Sequence, residues 1–366
     1  MTKECRNPND ELDALGAGLH RPGARSSIQG DLRSGSVRAR ETRAQLVCAW
    51  ILVGVTFPLV WVGGLVTTTG AGMAFPDWLT SDGHFILFYP WLSSVGDKFV
   101  EHGHRLLGVV VGIVSIVLVV VSWITEPRSW VRKFSLVILG GVILQGVLGG
   151  LRVVLDERTL ALAHGCTGPL FFALCAAMVV FTSRWWKNVK QSEDSTTARK
   201  ILRLAVLCAV LAYLQIVVGA VVRHSPQMTA PIAAAIFQLT VYFHVLLALL
   251  VTGHVLLLAW RCISTAQQRA IALVLVALTA IQLSLGAGTW IAKYGMPAWA
   301  TSLLGEVNFV NSQADVMQSS IVTSHVAVGS LLFVISVAIA LRSGRQSRIG
   351  LPQMSVSSAR NSGVAL

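Results

Sequence analysis

Charged residues are scarce in this sequence. Asp, Glu, Lys and Arg make up only 13% of the 366 residues, whereas hydrophobic residues make up 54%. Mean hydropathy is +0.67. An ordinary soluble domain has about a quarter charged residues. The deficit of charge excludes a typical soluble globular protein and predicts an integral membrane protein.

The few charges are almost absent from eight long hydrophobic runs. A helix that spans a bilayer needs about 20 apolar residues. The sequence therefore predicts an all-α integral membrane protein with eight transmembrane helices. The predicted spans are residues 45–67, 103–124, 134–151, 160–182, 201–222, 236–260, 270–292 and 318–341.

Acidic residues are also few, with 17 Asp and Glu against 29 Lys and Arg, for a net charge of +12. A basic balance can indicate a nucleic-acid partner. Here most of the Lys and Arg lie in the two terminal segments and in the loops that follow even-numbered spans, and positive loops are cytoplasmic. We therefore expect no nucleic acid, both termini in the cytoplasm, and some attraction to anionic membrane lipid.

Cysteines are missing from the predicted outward loops. None of the six cysteines lies there, which excludes a disulfide framework on the outer face. Cys208 and Cys262 lie at helical positions and are expected to fill apolar space.

A repeated unit organises the hydrophobic part of the chain. Each odd-numbered span carries small residues, which let a helix backbone or a flat ligand approach closely. The sequence leaves both uses open. Each even-numbered span carries a histidine. The small-residue positions are Gly63-Gly64 in the first span, Gln145 to Gly150 in the third, Gln215 to Ala220 in the fifth and Gln282 to Ala287 in the seventh.

Four such pairs of spans predict two repeated four-helix bundles. The predicted segments are a disordered cytoplasmic arm (1–44), an N-terminal half (45–185), a cytoplasmic linker (186–200), a C-terminal half (201–342) and a cytoplasmic tail (343–366).

The four span histidines, His104, His164, His244 and His325, lie at similar depths. About 17–22 residues separate each one from the cytoplasmic end of its helix, or about 25–33 Å at 1.5 Å per residue. Titratable groups inside a membrane are costly and are read as functional by default. Four in one layer favour a shared function over isolated core histidines.

Pairs of imidazoles on facing helices suit haem iron, which takes two axial ligands in the core of a bundle. Zinc normally takes four ligands close together, which would require the two halves to meet at one point. The sequence therefore predicts two haem sites, with His104 and His164 as iron ligands in one half and His244 and His325 in the other. Arg105 is placed to bind a propionate group.

The two halves differ at Glu101, which lies three residues before His104 and on the same helical face. The second half has Val241 before His244. A carboxylate beside only one of two similar sites favours a reaction there and a permanent cofactor in the other. The alternative is an acidic residue stabilised by the helix dipole near an N-terminus.

The remaining histidines give weaker signals. His84 and His224 lie in outward loops, and His102 points away from the face of His104. His254 lies about 15 Å deeper than His244 at 1.5 Å per residue. Their roles stay open in the sequence.

Together these features resemble the haem A synthase family over about residues 45–342. The resemblance rests on Gly63 to Thr67, on Gly70 to Met73, on Pro76-Asp77-Trp78, on the motif Glu101-x-x-His104-Arg105, and on single histidines in the fourth, sixth and eighth spans. Many members carry a cysteine pair in the first outward loop. This chain has Phe75 and Ser81 in that region, and is similar to the cysteine-free type.

The resemblance implies oxidation of the C8 methyl of haem O to a formyl group, by successive hydroxylations and loss of water. The product is haem A for aa3-type terminal oxidases. The substrate haem would lie at His104 and His164 with Glu101 as the catalytic acid–base, and haem b would be a cofactor bound by His244 and His325.

The resemblance also implies a multi-pass protein of the cell inner (plasma) membrane, with both haem sites toward the extracytoplasmic side. Haem O synthase and cytochrome oxidase assembly factors are the expected partners. A dihaem b-type membrane cytochrome that only transfers electrons is the alternative. The electron donor, the oxygen source and the oligomeric state, including a homo-oligomer, stay open.

Overall fold

The structure is a computed structural model that describes residues 22–189, 195–225, 231–263, 268–296, 301–302 and 316–349. In these ranges eight helices are long and apolar enough to cross a membrane, which confirms the predicted number of spans. They are α1 (Pro22–Thr69), α2 (Gly96–Thr125), α3 (Ser129–Val154), α4 (Arg158–Thr182), α5 (Ser195–His224), α6 (Pro231–Ile263), α7 (Arg269–Tyr294) and α8 (Val316–Ile349).

The outer faces of these helices are apolar. Ile113 on α2 is 55% exposed, and Leu246 and Leu249 on α6 are 65% and 63% exposed. Such faces are suited to contact with lipid chains, because the bilayer core contains no water to hydrogen-bond exposed polar groups. The chain is a multi-pass membrane protein.

Helix α1 begins at Pro22, inside the segment predicted to be a disordered arm. Residues 22–44 are thus part of α1, and the rest of the predicted arm, residues 1–21, lies outside the described ranges. Proline is favoured at the first position of a helix, and no further proline follows before Pro58. The part of α1 that can span the membrane is Arg43–Thr69.

The eight helices form two rings. Each of α1 to α4 contacts the next, and α4 contacts α1, so the first ring closes; α5 to α8 close in the same way. Leu52 and Leu118 lie in the buried cluster of the first ring, and Leu258 and Leu275 lie in that of the second. Within a membrane the close packing of such side chains, rather than their removal from water, stabilises the contacts between helices.

A third apolar cluster joins the rings, with Phe172 of α4, Ala209 of α5 and Phe333 of α8 at its centre. Helix α8 also contacts α1. Cys208 and Cys262 are fully buried in the second ring, which confirms that they fill apolar space.

Residues 70–95 form the α1–α2 loop. It contains two 3-10 turns, Ala71–Met73 and Trp91–Ser93, and a hairpin of β1 (Thr80–Ser81) and β2 (His84–Phe85). Asp82 and Gly83 both have positive φ, as a two-residue hairpin turn requires. Between α7 and α8, residues 297–300 and 303–315 lie outside the described ranges. A one-turn helix, Arg184–Asn188, follows α4.

Candidate functional site

Each of the four span histidines packs against a glycine of the preceding odd-numbered helix. A real Cβ atom almost never approaches another atom within 3.0 Å, so a Cβ at Gly63 or Gly219 would require the histidine ring to shift, whereas Gly286 and Gly149 leave slightly more room. The small residues that the sequence left open thus accommodate the histidine rings. Measured from histidine Cε1 to a Cβ added at the glycine, the pairs are Gly63–His104 (2.8 Å), Gly149–His164 (3.3 Å), Gly219–His244 (2.9 Å) and Gly286–His325 (3.0 Å).

The histidines meet in two pairs with the same spacing. The ring centroids of His104 and His164 are 6.4 Å apart, with their planes at 83°. Those of His244 and His325 are also 6.4 Å apart, with their planes at 72°. Two imidazoles on opposite sides of one metal ion, each at about 2.0 Å from nitrogen to metal, have centroids about 6 Å apart. The spacing of both pairs fits a single iron.

The Nδ1 atoms of all four histidines are buried without a hydrogen-bond partner. The carbonyls of Leu59, Gln145 and Gln282 approach the rings of His104, His164 and His325 respectively, but outside the limits of a normal hydrogen bond. Each carbonyl lies four residues before the glycine of its pair. A metal-bound histidine usually donates its second ring N–H to such a carbonyl, so these carbonyls are candidate partners for the rings of His104, His164 and His325.

No cluster of three or more His, Cys, Asp or Glu side chains suited to a metal ion occurs among the described residues. A bare ion such as zinc needs more ligands than one pair supplies. Haem iron already has four ligands from the macrocycle and needs only the axial two. The donor sets therefore fit haem better than a free metal ion.

Glu101 is only 3% exposed and lies beneath the α1–α2 loop. Its Oε1 accepts hydrogen bonds from Nη2 and Nε of Arg105, at 2.6 and 3.2 Å. Its Oε2 accepts from the backbone N–H groups of Ala74 and Phe75, at 2.8 and 3.3 Å. The carboxylate thus joins α2 to the loop.

Arg105 strengthens the same connection. Its Nη1 donates to the carbonyls of Asp77 at 2.8 Å, Trp78 at 3.2 Å and Thr80 at 2.9 Å. Its guanidinium carbon is 5.1 Å from the ring centroid of Phe75. A propionate at Arg105, as expected from the sequence, would have to replace one of these bonds.

His102 is completely buried under the loop. Its Nδ1 is 2.9 Å from Oγ of Ser81, and its ring centroid is 4.6 Å from that of Tyr89. Trp78 packs on Gly150 of α3, where no Cβ would fit. The loop is therefore fixed to the first ring at several points.

Three other histidines bond locally. Nδ1 of His84 is 3.2 Å from the carbonyl of Asp82, that of His224 is 2.9 Å from Ala220, and that of His254 is 2.8 Å from Leu250. None of the three joins a histidine pair.

Asp77 lies in the loop, outside the spans. Its Oδ2 accepts hydrogen bonds from the hydroxyl of Thr80 and, at 3.2 Å, from the N–H of Gly83. Burial raises the pKa of Asp77, but these hydrogen bonds and the charge of Arg105 outweigh burial and hold the pKa below its ordinary value of 3.8.

Arg152, at the end of α3, is a site residue that the sequence motifs do not indicate. Its Nη2 donates to the carbonyl of Gly72 at 3.1 Å, and its charge acts on His104, His164 and Glu101. A half-buried cation beside the first pair is a candidate partner for a propionate. Its position in the sequence is the available signal, because an arginine on the predicted outward side runs against the positive-inside bias.

Arg223, at the end of α5, occupies the corresponding place in the second ring. Its Nη2 donates to the hydroxyl of Thr68 on α1. Nearby, Oγ1 of Thr68 and Oγ1 of Thr323 on α8 are 3.3 Å apart. These contacts join the two rings at the end where the histidines lie.

A family model for the COX15-CtaA cytochrome oxidase assembly protein matches residues 93–304, more than half of the chain. This chain belongs to that family. The match covers His104, His164 and His244 together with Glu101 and Arg105, whereas His325 lies beyond it. The COX15-CtaA match thus contains the complete first pair and one member of the second.

Curated relatives agree with this assignment. The chain is 34% identical over 138 residues to "Heme A synthase" of Listeria monocytogenes serotype 4a (strain HCC23), which covers 36% of this chain and 43% of the relative. It is 28% identical over 163 residues to "Heme A synthase" of Brucella ovis (strain ATCC 25840 / 63/290 / NCTC 10512), which covers 42% and 43%. The chain spans less than half the length of the curated relatives that it matches.

Proposed function

We propose that this protein is a haem A synthase, an oxidoreductase that converts the C8 methyl of haem O to the formyl group of haem A by successive hydroxylations. The observation that carries the proposal is the pair of equally spaced histidine sites, of which the first lies beside the buried Glu101. Val241 takes the corresponding place beside His244. The names of the relatives support the same reaction.

The two pairs would have different roles. His104 and His164 would hold the iron of haem O, while Arg152 and the α1–α2 loop orient it and keep water away. His244 and His325 would hold haem b. When bound, haem b supplies one-electron chemistry that no side chain can provide.

Glu101 would act as the acid–base group of the first site. Arg105 fixes the position of the carboxylate, and the loop excludes bulk water from it. Oε2 can exchange a proton if the contact with the N–H of Ala74 opens. A positioned carboxylate within reach of the reacting group typically contributes 10²- to 10⁴-fold to a rate.

The proposed topology follows from the charges and the helix ends. Two repeated four-helix halves with both termini in the cytoplasm would put the α1–α2 loop and both histidine pairs toward the extracytoplasmic side of the plasma membrane. There the protein would receive haem O from haem O synthase and pass haem A to cytochrome oxidase assembly. The cytoplasmic tail from residue 343 begins inside α8, and residues 350–366 lie outside the described ranges.

Haem chromatography tests the proposed reaction. Haems would be extracted from membranes of cells that make haem O, with and without this protein. New haem A, or its hydroxymethyl precursor, is the expected result. A dihaem cytochrome is the second candidate, because both pairs have the same spacing. Unchanged haem O beside folded, haem-loaded protein, in cells with a working electron supply, would favour that cytochrome.

A further inference from the structure

A large cleft opens between the two helix rings, at the end of the molecule opposite the α1–α2 loop. Its volume is about 1230 Å³, slightly above the range of about 300–1,000 Å³ for small-molecule sites. Leu170, Val210 and Phe333 are among the apolar side chains that line it, and they come from α4, α5 and α8. None of the four span histidines lines this cleft, so it is separate from the proposed haem sites.

The depth of the cleft matches one layer of a bilayer. Its lining extends from residue 202 to 213 on α5 and from residue 333 to 345 on α8. At 1.5 Å per residue these stretches are about 16–18 Å long. The hydrocarbon of a single leaflet is about 15 Å thick, half of the bilayer core. An acyl chain that lies along the helices would fill this length.

The mouth of the cleft carries more positive than negative charge. Arg128, Lys187 and Arg345 lie there with a single carboxylate, Glu126. Glu126 is paired with Arg128 at 2.7 Å, while Lys187 is 4.0 Å away from it. Three cations against one anion leave an excess of two positive charges among the described residues at the mouth.

Arg345 has one unsatisfied hydrogen-bond donor. Its Nε is buried without a hydrogen-bond partner, and its guanidinium carbon is 5.6 Å from the ring centroid of Trp186. A buried donor that lacks a partner costs free energy until an acceptor reaches it, and a phosphate oxygen is a strong acceptor for arginine. Trp130 and Trp186 at the mouth suit the headgroup level of a membrane.

We propose that this cleft binds one anionic phospholipid from the leaflet on its side of the membrane. The phosphate group would lie at Lys187 and Arg345, and an acyl chain would lie along α5 and α8 between the two rings. The proposal depends on the charge and length of the cleft and is independent of the haem chemistry.

Spin-labelled lipids test the proposal directly. The protein would be placed in phosphatidylcholine vesicles that contain traces of acyl-labelled phosphatidylglycerol or labelled phosphatidylcholine, and electron spin resonance would measure the immobilised fraction of each. We expect a preference for phosphatidylglycerol that falls about fivefold for each cation removed, in Lys187→Gln and in Arg345→Gln, since one basic residue near a membrane contributes about that factor.

Two further variants separate the acyl chain from the headgroup. Val210 lines the cleft and is 59% exposed, so Val210→Trp fills the cleft without overpacking a core and should release both labelled lipids. Arg261 stacks on Trp260 at 5.4 Å on α6, away from the cleft, so Arg261→Gln is the matched control and should change nothing.

Three results would overturn the proposal. One is an unchanged lipid preference in Arg345→Gln, and another is an equal loss in Arg261→Gln. The third is binding of inorganic phosphate that weakens in Arg345→Gln but not in Val210→Trp, since this would indicate an anion site without a lipid chain. Retained helical circular dichroism would establish that each variant is folded.

Discussion

The ring of His104 lies directly against the backbone of Gly63, so that a Cβ at Gly63 would come within 2.8 Å of Cε1. At the other three pairs an added Cβ would lie 2.9–3.3 Å from Cε1 of the histidine. Each glycine therefore lets its histidine ring lie closer to the helix backbone than a larger residue would allow. A methyl group at Gly63 or Gly219 would require the ring to shift.

We predict that Gly219→Ala weakens haem b binding about 10- to 100-fold, the usual effect of disturbing the support of a metal ligand. The stability of α5 should not fall, because alanine favours a helix over glycine by about 1 kcal/mol. The absorbance of bound haem in purified protein measures the effect. Gly253→Ala on α6 is the control, since nothing lies within 4 Å of a Cβ there. Full haem content in Gly219→Ala would contradict the prediction.

His244→Ala and His325→Ala should each abolish the stable haem b spectrum, because haem would lose one axial ligand. His254→Ala should retain it, since the half-buried His254 bonds to the carbonyl of Leu250 on its own helix and joins neither histidine pair. Optical spectra of the three purified variants measure whether haem b is retained. If all three spectra matched the wild type, haem b would have to lie elsewhere.

Glu101→Gln should reduce haem A formation by at least 10²-fold while the haem b spectrum stays unchanged. The amide keeps the shape but cannot exchange the proton. Because Glu101 also holds the loop, Ser81→Ala is the companion variant: it weakens the loop at His102 without changing the carboxylate. Product analysis by haem chromatography should show activity in Ser81→Ala and little in Glu101→Gln. Equal losses would mean that Glu101 acts only through the loop.

The attachment of the α1–α2 loop should weaken in acid. The folded-state pKa of Asp77 lies below its ordinary value of 3.8, so the stabilising contribution of the carboxylate is full above that value. It is lost as the pH falls through the lower folded value. Cleavage of the loop by pepsin, followed from pH 5 to pH 2, should accelerate over that window. Asp77→Asn cannot titrate and should lose this part of the acceleration; an identical pH profile would show that Asp77 does not control it.

The spans and the histidine pairs could be predicted because both depend on local pattern. Hydrophobic length locates each helix, and one histidine on each even-numbered span at a shared depth predicts the pairs. The 6.4 Å spacing of His244 and His325 could not be predicted, because it depends on how the helices pack.

The contacts of Arg105 could not be predicted from the sequence. The motif Glu101-x-x-His104-Arg105 predicts that Arg105 binds a propionate group. Three of its bonds instead go to carbonyls of the α1–α2 loop, whose path has no periodic signal. The place of Arg152 could not be predicted for a related reason, because Arg152 comes close to His104 and His164 only when α3 packs against α4.

Helix α8 carries His325 and contacts α1, α4, α5 and α7. During synthesis the first histidine pair can form once α4 has entered the membrane, whereas His244 has no partner until α8, the last described span, is inserted. The second site therefore matures after the first. If His244 and His325 hold haem b as proposed, its capture would report that the whole membrane domain has been assembled, and a chain interrupted before α8 would lack the haem b spectrum.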